Sequence, residues 1–180
     1  MVVGYLEAWR IEVGDASASF AEPDLRLANR GGARISAAEI AAILERRDAI
    51  ERALLAVSPQ ASLTGAARSV PWRPLRLLFD AFADIRGVGL SKMTKALHPK
   101  RPALIPMLDS VVQRYLADDD PGARSLFGER AVELVRGYKR DLDGNRAALR
   151  AIRLELAKRG HDLAEVRILD LLIWSAQAAR

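Results

Sequence analysis

Residues 86–108 read RGVGLSKMTKALHPKRPALIPML, a stretch that contains basic residues and no acidic one. The chain has 28 Lys and Arg against 23 Asp and Glu, and without the five basic residues of this stretch the balance is 23 against 23. The formal positive excess is therefore concentrated in one segment, whose basic residues are Arg86, Lys92, Lys95, Lys100 and Arg101. The segment opens on the glycine turn Gly87-Val88-Gly89 and is followed by the carboxylate of Asp109. A glycine turn followed by a cationic helix start predicts a site for nucleic-acid phosphates.

Outward from this turn, helical spacing of apolar residues recurs along the chain. Leu75, Leu78, Phe79 and Phe82 predict a helix that ends before Gly87, and a shorter helix is expected over residues 90–97. The prolines at 99 and 102 predict an extended connector. Asp109 or Ser110 can cap the helix that follows, and three more helices are predicted over about 124–141, 144–159 and 163–178.

The N-terminal half contains one strong helix signal. Ser36 and Glu39 form a capping box, and the apolar residues beyond it predict one long helix to about Val57. Residues 1–21 are the least clear part: a short helix or strand could precede Gly14, and a short helix could follow Pro23. No alternating strand pattern of useful length is present. The fold prediction is an all-α bundle of about seven to nine helices, with residues 1–180 as a single domain.

The amino-acid composition limits the kinds of functional site that the chain can form. Half of the residues are hydrophobic, mostly Ala, Leu, Ile and Val, and only 6% are aromatic, which favours helix over sheet. The chain has no cysteine, which excludes disulfides, thiolate zinc sites and cysteine-ligated iron–sulfur clusters. The two histidines, His98 and His161, are too far apart in sequence for a metal-ligand pattern. We predict no metal and no cofactor.

The turn has the properties of a phosphate-binding site. Glycine permits unusual backbone angles and close approach, and the helix that begins near Leu90 directs unpaired N–H groups and its positive dipole end towards the turn. The predicted phosphate contacts are Arg86, Gly87, Val88, Gly89, Ser91, Lys92, Lys95, Lys100 and Arg101. Because none of these groups reads a base edge, binding should be largely independent of sequence. The alternative is an ordinary turn between two helices, with a cationic face that is only solvated.

A family resemblance is carried by Ile85-Arg-Gly-Val-Gly-Leu-Ser-Lys-Met-Thr-Lys95, which is similar to the hairpin of the helix-hairpin-helix DNA glycosylase superfamily. Those proteins read roughly L-P-G-V-G-x-x-T/S-A, and later have an aspartate in a V/L-D-x-x-V-x-R context. Leu108-Asp-Ser-Val-Val-Gln-Arg114 matches that context, 22 positions from Gly87 to Asp109. The resemblance covers about residues 75–116. The chain also resembles an uncharacterised actinobacterial domain family that has the same K-R-P…D segment.

The glycosylase resemblance implies that Asp109 stabilises positive charge on the sugar or orients the attacking water, and that the target nucleotide is flipped out of the duplex. The bland alternative is that Asp109 only caps its helix. Ser91 stands where the strand-cleaving members have a lysine, and Lys92, one place later, points elsewhere, so the activity would be monofunctional, without lyase activity. Arg86 replaces the hairpin proline, and Met93 replaces a small residue, which would loosen the packing.

Other residues carry weaker signals. Trp72 could stack on a base but is more typical of a core residue, and His98 could carry a proton but is more typical of a surface or capping position. The run Asp118–Asp120 is typical of a solvated turn that ends a helix rather than a cation site.

The functional prediction from sequence is a DNA-binding protein, resembling repair enzymes, with Asp109 as candidate catalytic residue. The alternatives are a catalytically silent helix-hairpin-helix DNA-binding module and a protein-interaction domain with an acidic partner. No uncharged apolar run approaches the roughly 20 residues that span a bilayer, and the N-terminus is a poor signal peptide. We therefore expect no membrane association and a cytoplasmic location, at the nucleoid if the protein binds DNA.

Overall fold

The fold is known from a computed structural model, which describes residues 16–178. Within that range every regular element is a helix and no strand is present, so the predicted all-α fold is confirmed. Nine α-helices are present there: α1 (Glu22–Arg30), α2 (Ala37–Glu45), α3 (Arg47–Leu55), α4 (Trp72–Asp80), α5 (Leu90–Leu97), α6 (Ser110–Tyr115), α7 (Phe127–Gly144), α8 (Arg146–Lys158) and α9 (Glu165–Ala178). The expectation of a helix or strand before Gly14 falls outside the described residues.

The longest helix, α7, is the centre of the bundle. It packs most extensively on α4 and also contacts α8 and α9, and α9 in turn packs on α6 and α8. The two helices on either side of the glycine turn have different neighbours, because α4 packs on α3 and α7 while α5 packs on α1. One continuous apolar core joins these helices, with Phe20 and Phe82 in edge-to-face contact at a ring-centroid distance of 5.9 Å. The turn is thus held from both sides by a single body.

The predicted long helix over 36–57 is wrong in one respect, since it is two helices. The capping box is present: the Ser36 hydroxyl accepts from the Glu39 N–H at 3.3 Å, and Glu39 Oε2 accepts from the Ser36 N–H at 2.8 Å. The chain then leaves helical geometry at Arg46, with φ −95° and ψ 5°. No Gly or Pro marks this break, so it has no local signal. Its effect is tertiary, because α3 can then pack against α4.

The connector after α5 also differs from the prediction. Residues His98–Lys100 form a 3₁₀ turn rather than an extended segment, although His98 precedes a proline. The His98 side chain is buried, and its Nδ1–H donates to the Ile105 carbonyl at 2.7 Å, which stabilises the turn. Burial lowers the pKa of His98 to about 4, so the ring is neutral at physiological pH. His98 is therefore an internal residue and not a surface one.

Candidate nucleic-acid contact at the Gly87–Gly89 turn

The turn between α4 and α5 requires glycine at one of its two glycine positions. Gly87 has φ +81°, in the left-handed region that glycine favours, and the Val88 N–H closes the turn by donating to the Ile85 carbonyl at 3.0 Å. Gly89 is extended, with φ −96° and ψ −174°, and is the N-cap residue of α5. Any residue can adopt that conformation. Gly87 therefore shapes the turn, while Gly89 provides access to the helix end.

The N-terminus of α5 is open. Gly89 has no side chain to cap the helix, and a Cβ placed there would meet no atom within 4 Å. The backbone N–H groups of Leu90, Ser91 and Lys92 donate to no acceptor among the described residues. These are the donors that an α-helix cannot satisfy internally, and they add to the positive end of the helix dipole. An anion at Gly89 would have several N–H groups to accept from and no side chain to displace.

The other side of the turn already holds an anion from the protein itself. Both carboxylate oxygens of Glu39 lie 2.7 Å from Lys92 Nζ. A Cβ at Gly87 would collide with Glu39 Oε1, so Glu39 lies directly against the glycine. The hydrogen bond from Lys92 is the main reason that the pKa of Glu39 is lowered, so the carboxylate is ionised at neutral pH. Lys92 is therefore half-buried in an ion pair and is not an open phosphate ligand.

We expect Glu39→Gln to strengthen binding of DNA to this turn, because it removes a negative charge and releases Lys92. Glutamine can retain the bond to the Ser36 amide, so helix α2 should keep its cap. Restoring one lysine–phosphate contact should steepen the log–log dependence of affinity on salt by roughly 0.9. The measurement is a DNA titration at several salt concentrations. Glu45→Gln is the matched control, since Glu45 is an exposed carboxylate on the same helix. Equal effects of the two variants would show that Glu39 has no special role at the turn.

Two predicted phosphate ligands, Lys100 and Arg101, have their charged groups inside the fold. Lys100 is 2% exposed and pairs with Asp24 at 2.8 Å. Arg101 is 1% exposed and donates to four backbone carbonyls, those of Ala16, Leu54, Val57 and Lys100, at 2.7–3.0 Å. The Leu54 carbonyl belongs to the last turn of α3, where helix carbonyls lack internal partners, and the Val57 carbonyl follows just after the helix. Arg101 therefore has the role of a buried cap.

Lys95 is also buried rather than displayed on the surface. Its side chain crosses to the α1–α2 loop and donates to the Gly32 carbonyl at 3.3 Å. Burial lowers the pKa of Lys95, and the negative charge of Asp109 opposes that shift. Ser91 is half-buried and Val88 is buried, and the Val88 N–H already donates to the Ile85 carbonyl, so of these two residues only Ser91 can offer a free backbone amide. Of the five basic residues singled out in sequence, only Arg86 is well exposed.

Asp109 is the N-cap of α6, as the sequence predicts. Its Oδ1 accepts from the Val111 and Val112 amides at 3.0 and 3.1 Å, and its Oδ2 accepts from the Trp174 indole N–H at 2.8 Å. The segment before it is held to α5 by Thr94, whose hydroxyl accepts from the Leu108 N–H at 2.9 Å. Asp109 is 5% exposed. With three donors on a buried carboxylate, its geometry is that of a structural anchor.

The polar face of α9 that contacts Asp109 through Trp174 is not predicted from sequence. Arg167, Asp170 and Trp174 follow at spacings of three and four, so they share one face of the helix. Asp170 is 1% exposed and accepts from the Tyr138 hydroxyl at 3.1 Å. Burial raises the pKa of Asp170 to about 7, although the positive charge of Arg167 opposes the shift. The face was missed because the apolar residues between these positions read as an ordinary closing helix.

The remaining candidates have structural roles. The Trp72 indole N–H donates to the Ala67 carbonyl at 3.0 Å, and the Arg136 guanidinium lies 4.4 Å from the ring centroid, so the ring is already covered. In the run 118–120, Asp119 pairs with Arg140 and Asp120 with Arg130. Over residues 16–178, no group of three His, Cys, Asp or Glu side chains could hold a metal ion. In the same range no helix is both long and apolar enough to cross a membrane.

Comparison with protein families places this chain in a family without an assigned activity. Residues 26–177 match the model of a family of unknown function, DUF6308. The chain belongs to this family. No curated protein and no solved structure matches the chain. Since the family description assigns no function, the resemblance to helix-hairpin-helix glycosylases stays a prediction from sequence.

Proposed function

We propose that this DUF6308 protein binds the phosphate backbone of duplex DNA at the Gly87–Gly89 turn. The observation that carries the proposal is the open N-terminus of α5, where free amides and the positive end of a helix dipole meet no side chain at Gly89. The exposed Arg86 lies in the same turn and can pair with a neighbouring phosphate. Contacts of this kind orient a protein on the duplex without reading its sequence.

The structure reduces the number of charges available at this contact. Lys95, Lys100 and Arg101 are buried, and Lys92 is paired with Glu39. If Arg86 alone contributes, the turn should add about −0.9 to the log–log salt slope, and about −1.8 if DNA also displaces Glu39 from Lys92. The five phosphate contacts expected from sequence would correspond to a slope of roughly −4 to −5. The change in slope when one of these side chains is substituted therefore tests whether that side chain reaches a phosphate.

The experiment is fluorescence anisotropy with a labelled duplex, the same duplex with an abasic-site analogue, and a single strand, each at two salt concentrations. Salt-dependent binding of duplex supports the proposal, and preference for the abasic duplex supports the glycosylase-like version of it. Absence of duplex binding at low salt by folded protein contradicts the proposal. In that case, binding of an acidic polypeptide would favour the protein-interaction alternative.

A more specific form of the proposal adds base excision, with Asp109 as the catalytic residue, and it rests on the glycosylase resemblance. In favour of it, Oδ2 accepts only one hydrogen bond from the described residues, that of Trp174, so this oxygen has a lone pair available. Against it, the carboxylate is almost fully buried. A base or sugar could reach Oδ2 only if neighbouring side chains move. We therefore treat excision as the version to be tested by substitution.

We expect Asp109→Asn to lower the free energy of unfolding by about 1–3 kcal/mol, because its amide N–H₂ would face the Trp174 indole donor. Affinity for intact duplex should not change, since the turn is untouched. Unfolding in urea and a DNA titration measure the two effects. Asp118→Asn, on an exposed carboxylate, is the control for the charge change. The excision version requires that wild-type protein releases a base from a damaged duplex and that Asp109→Asn does not.

A further inference from the structure

Helix α8 is the most exposed long helix of the bundle and is strongly cationic. Residues 146–159 contain five basic residues and one acid, Glu155, a net charge of +4. All five are exposed, namely Arg146, Arg150, Arg153, Lys158 and Arg159. Only Leu149 is fully buried, with Ile152 and Leu156 half-buried beside it. The helix therefore attaches to the bundle by a narrow apolar face and leaves the rest of its surface open.

The cations on α8 are arranged in a line. Arg146, Arg150 and Arg153 follow at spacings of four and three, which places them within an arc of roughly 60° at 100° per residue. They extend over about 10 Å at 1.5 Å per residue. Glu155 falls on the opposite side of the helix from this line, where Lys158 Nζ lies 3.1 Å from its Oε2. The only acid of the helix therefore does not neutralise the arginine line.

The local chemistry of the helix does not explain this line. Arg146 stands in the first helical turn, which has no acidic residue, so its charge opposes the positive end of the helix dipole. Like charges at i and i+4 destabilise a helix, and Arg146 and Arg150 form such a pair. Arg146 pairs with Asp143 at 2.7 Å. Arg150 and Arg153 form no ion pair with any of the described residues.

We propose that the line of Arg146, Arg150 and Arg153 is a second contact for the backbone of duplex DNA, separate from the glycine turn. The identity of the polyanion rests on the proposed function, and the charge complementarity is a property of α8 itself. Guanidinium groups pair with phosphate oxygens in a bidentate manner. Leu154, 58% exposed, is the one large apolar side chain that α8 leaves open. A single leucine is too little for the aromatic and apolar centre of a stable protein interface, so a protein partner is the weaker choice.

The test is the double variant Arg150→Gln/Arg153→Gln in the full chain, titrated with duplex DNA at several salt concentrations. Losing two phosphate contacts should reduce the magnitude of the salt slope by about 1.8 and weaken binding at least tenfold at roughly 0.1 M salt. The matched control is Arg68→Gln/Arg124→Gln, which removes two exposed arginines elsewhere in the bundle. Circular dichroism verifies that both double variants are folded.

The outcomes separate this inference from the proposed function when Gly89→Asp is measured in parallel. Loss of affinity in the α8 variant, with an unchanged control, supports the second contact. If only Gly89→Asp loses affinity, the glycine turn is the site and the α8 inference is wrong. If only the α8 variant loses affinity, the inference holds and the turn is not the site. Equal losses in the α8 variant and the control show a general charge effect, which overturns the inference. Binding of poly-L-glutamate without binding of DNA also overturns it.

Discussion

We expect Gly89→Asp to stabilise the protein and at the same time to abolish DNA binding at the glycine turn. The aspartate would be the N-cap residue of α5, a position where its carboxylate can accept from the free amides of the first turn. The backbone at Gly89 is extended, as N-cap residues usually are, and a new Cβ would meet no neighbouring atom. The substitution therefore fills the anion site with an anion of the protein itself.

The two effects have opposite signs, which makes the result hard to explain by unfolding. A better cap and a negative charge at the helix N-terminus should raise the free energy of unfolding by about 0.5–1 kcal/mol, or the midpoint of thermal unfolding by about 2 °C. DNA affinity should fall at least tenfold, because a phosphate would have to displace the carboxylate and approach its charge. Thermal unfolding and anisotropy titration measure the two quantities on the same preparation.

Two controls identify the cause. Gly89→Asn adds a neutral cap of the same shape, so a smaller loss of affinity than with aspartate would separate charge repulsion from occupation of the amides. Ala123→Asp adds the same charge on an exposed loop and should change neither quantity appreciably. Unchanged DNA affinity in a stabilised Gly89→Asp variant would rule out the turn as the binding site.

The helices of this protein are largely predictable from local sequence. The capping box at Ser36, the short helix at 90–97 and the cap at Asp109 depend on neighbouring residues, and all three are present. The break at Arg46 and the 3₁₀ turn at His98 are not predictable in this way. Both depend on distant packing, such as the docking of α3 on α4 and the burial of the His98 ring.

The charge distribution is the part that sequence misrepresents. A count of charges along the chain assigns the positive excess to residues 86–108, but three of the five cations there are buried and a fourth is paired. A linear count cannot distinguish a lysine that faces solvent from one that satisfies buried acceptors. The same count does not reveal the cationic surface of α8, because acidic residues elsewhere in the chain cancel its charge. Many of those acidic residues are engaged in ion pairs. Because most cations of residues 86–108 are buried or paired, the exposed positive charge lies on α8 rather than on that segment.

The buried cations also contribute to the free energy of unfolding, and we expect the largest contribution from Arg101. We expect Arg101→Ala to lower the free energy of unfolding by about 4 kcal/mol, since it leaves buried carbonyl acceptors without a donor and opens a cavity. The guanidinium donates to four backbone carbonyls and so links the end of α3, the start of the described chain and the connector after α5. A loss of that size is a large fraction of the roughly 5–15 kcal/mol by which domains are stable.

Urea unfolding followed by circular dichroism measures this loss, and Arg68→Ala, on an exposed arginine, is the control. Arg101→Lys should recover only part of the stability, because an ammonium cannot reproduce the planar fork of donors. At low temperature, where the alanine variant is still folded, its affinity for DNA should match the wild type. A variant with normal stability and weakened DNA binding would instead return Arg101 to the set of phosphate ligands. The buried guanidinium explains why Arg101, which the charge pattern of the sequence assigns to DNA, instead contributes to the folding of the bundle.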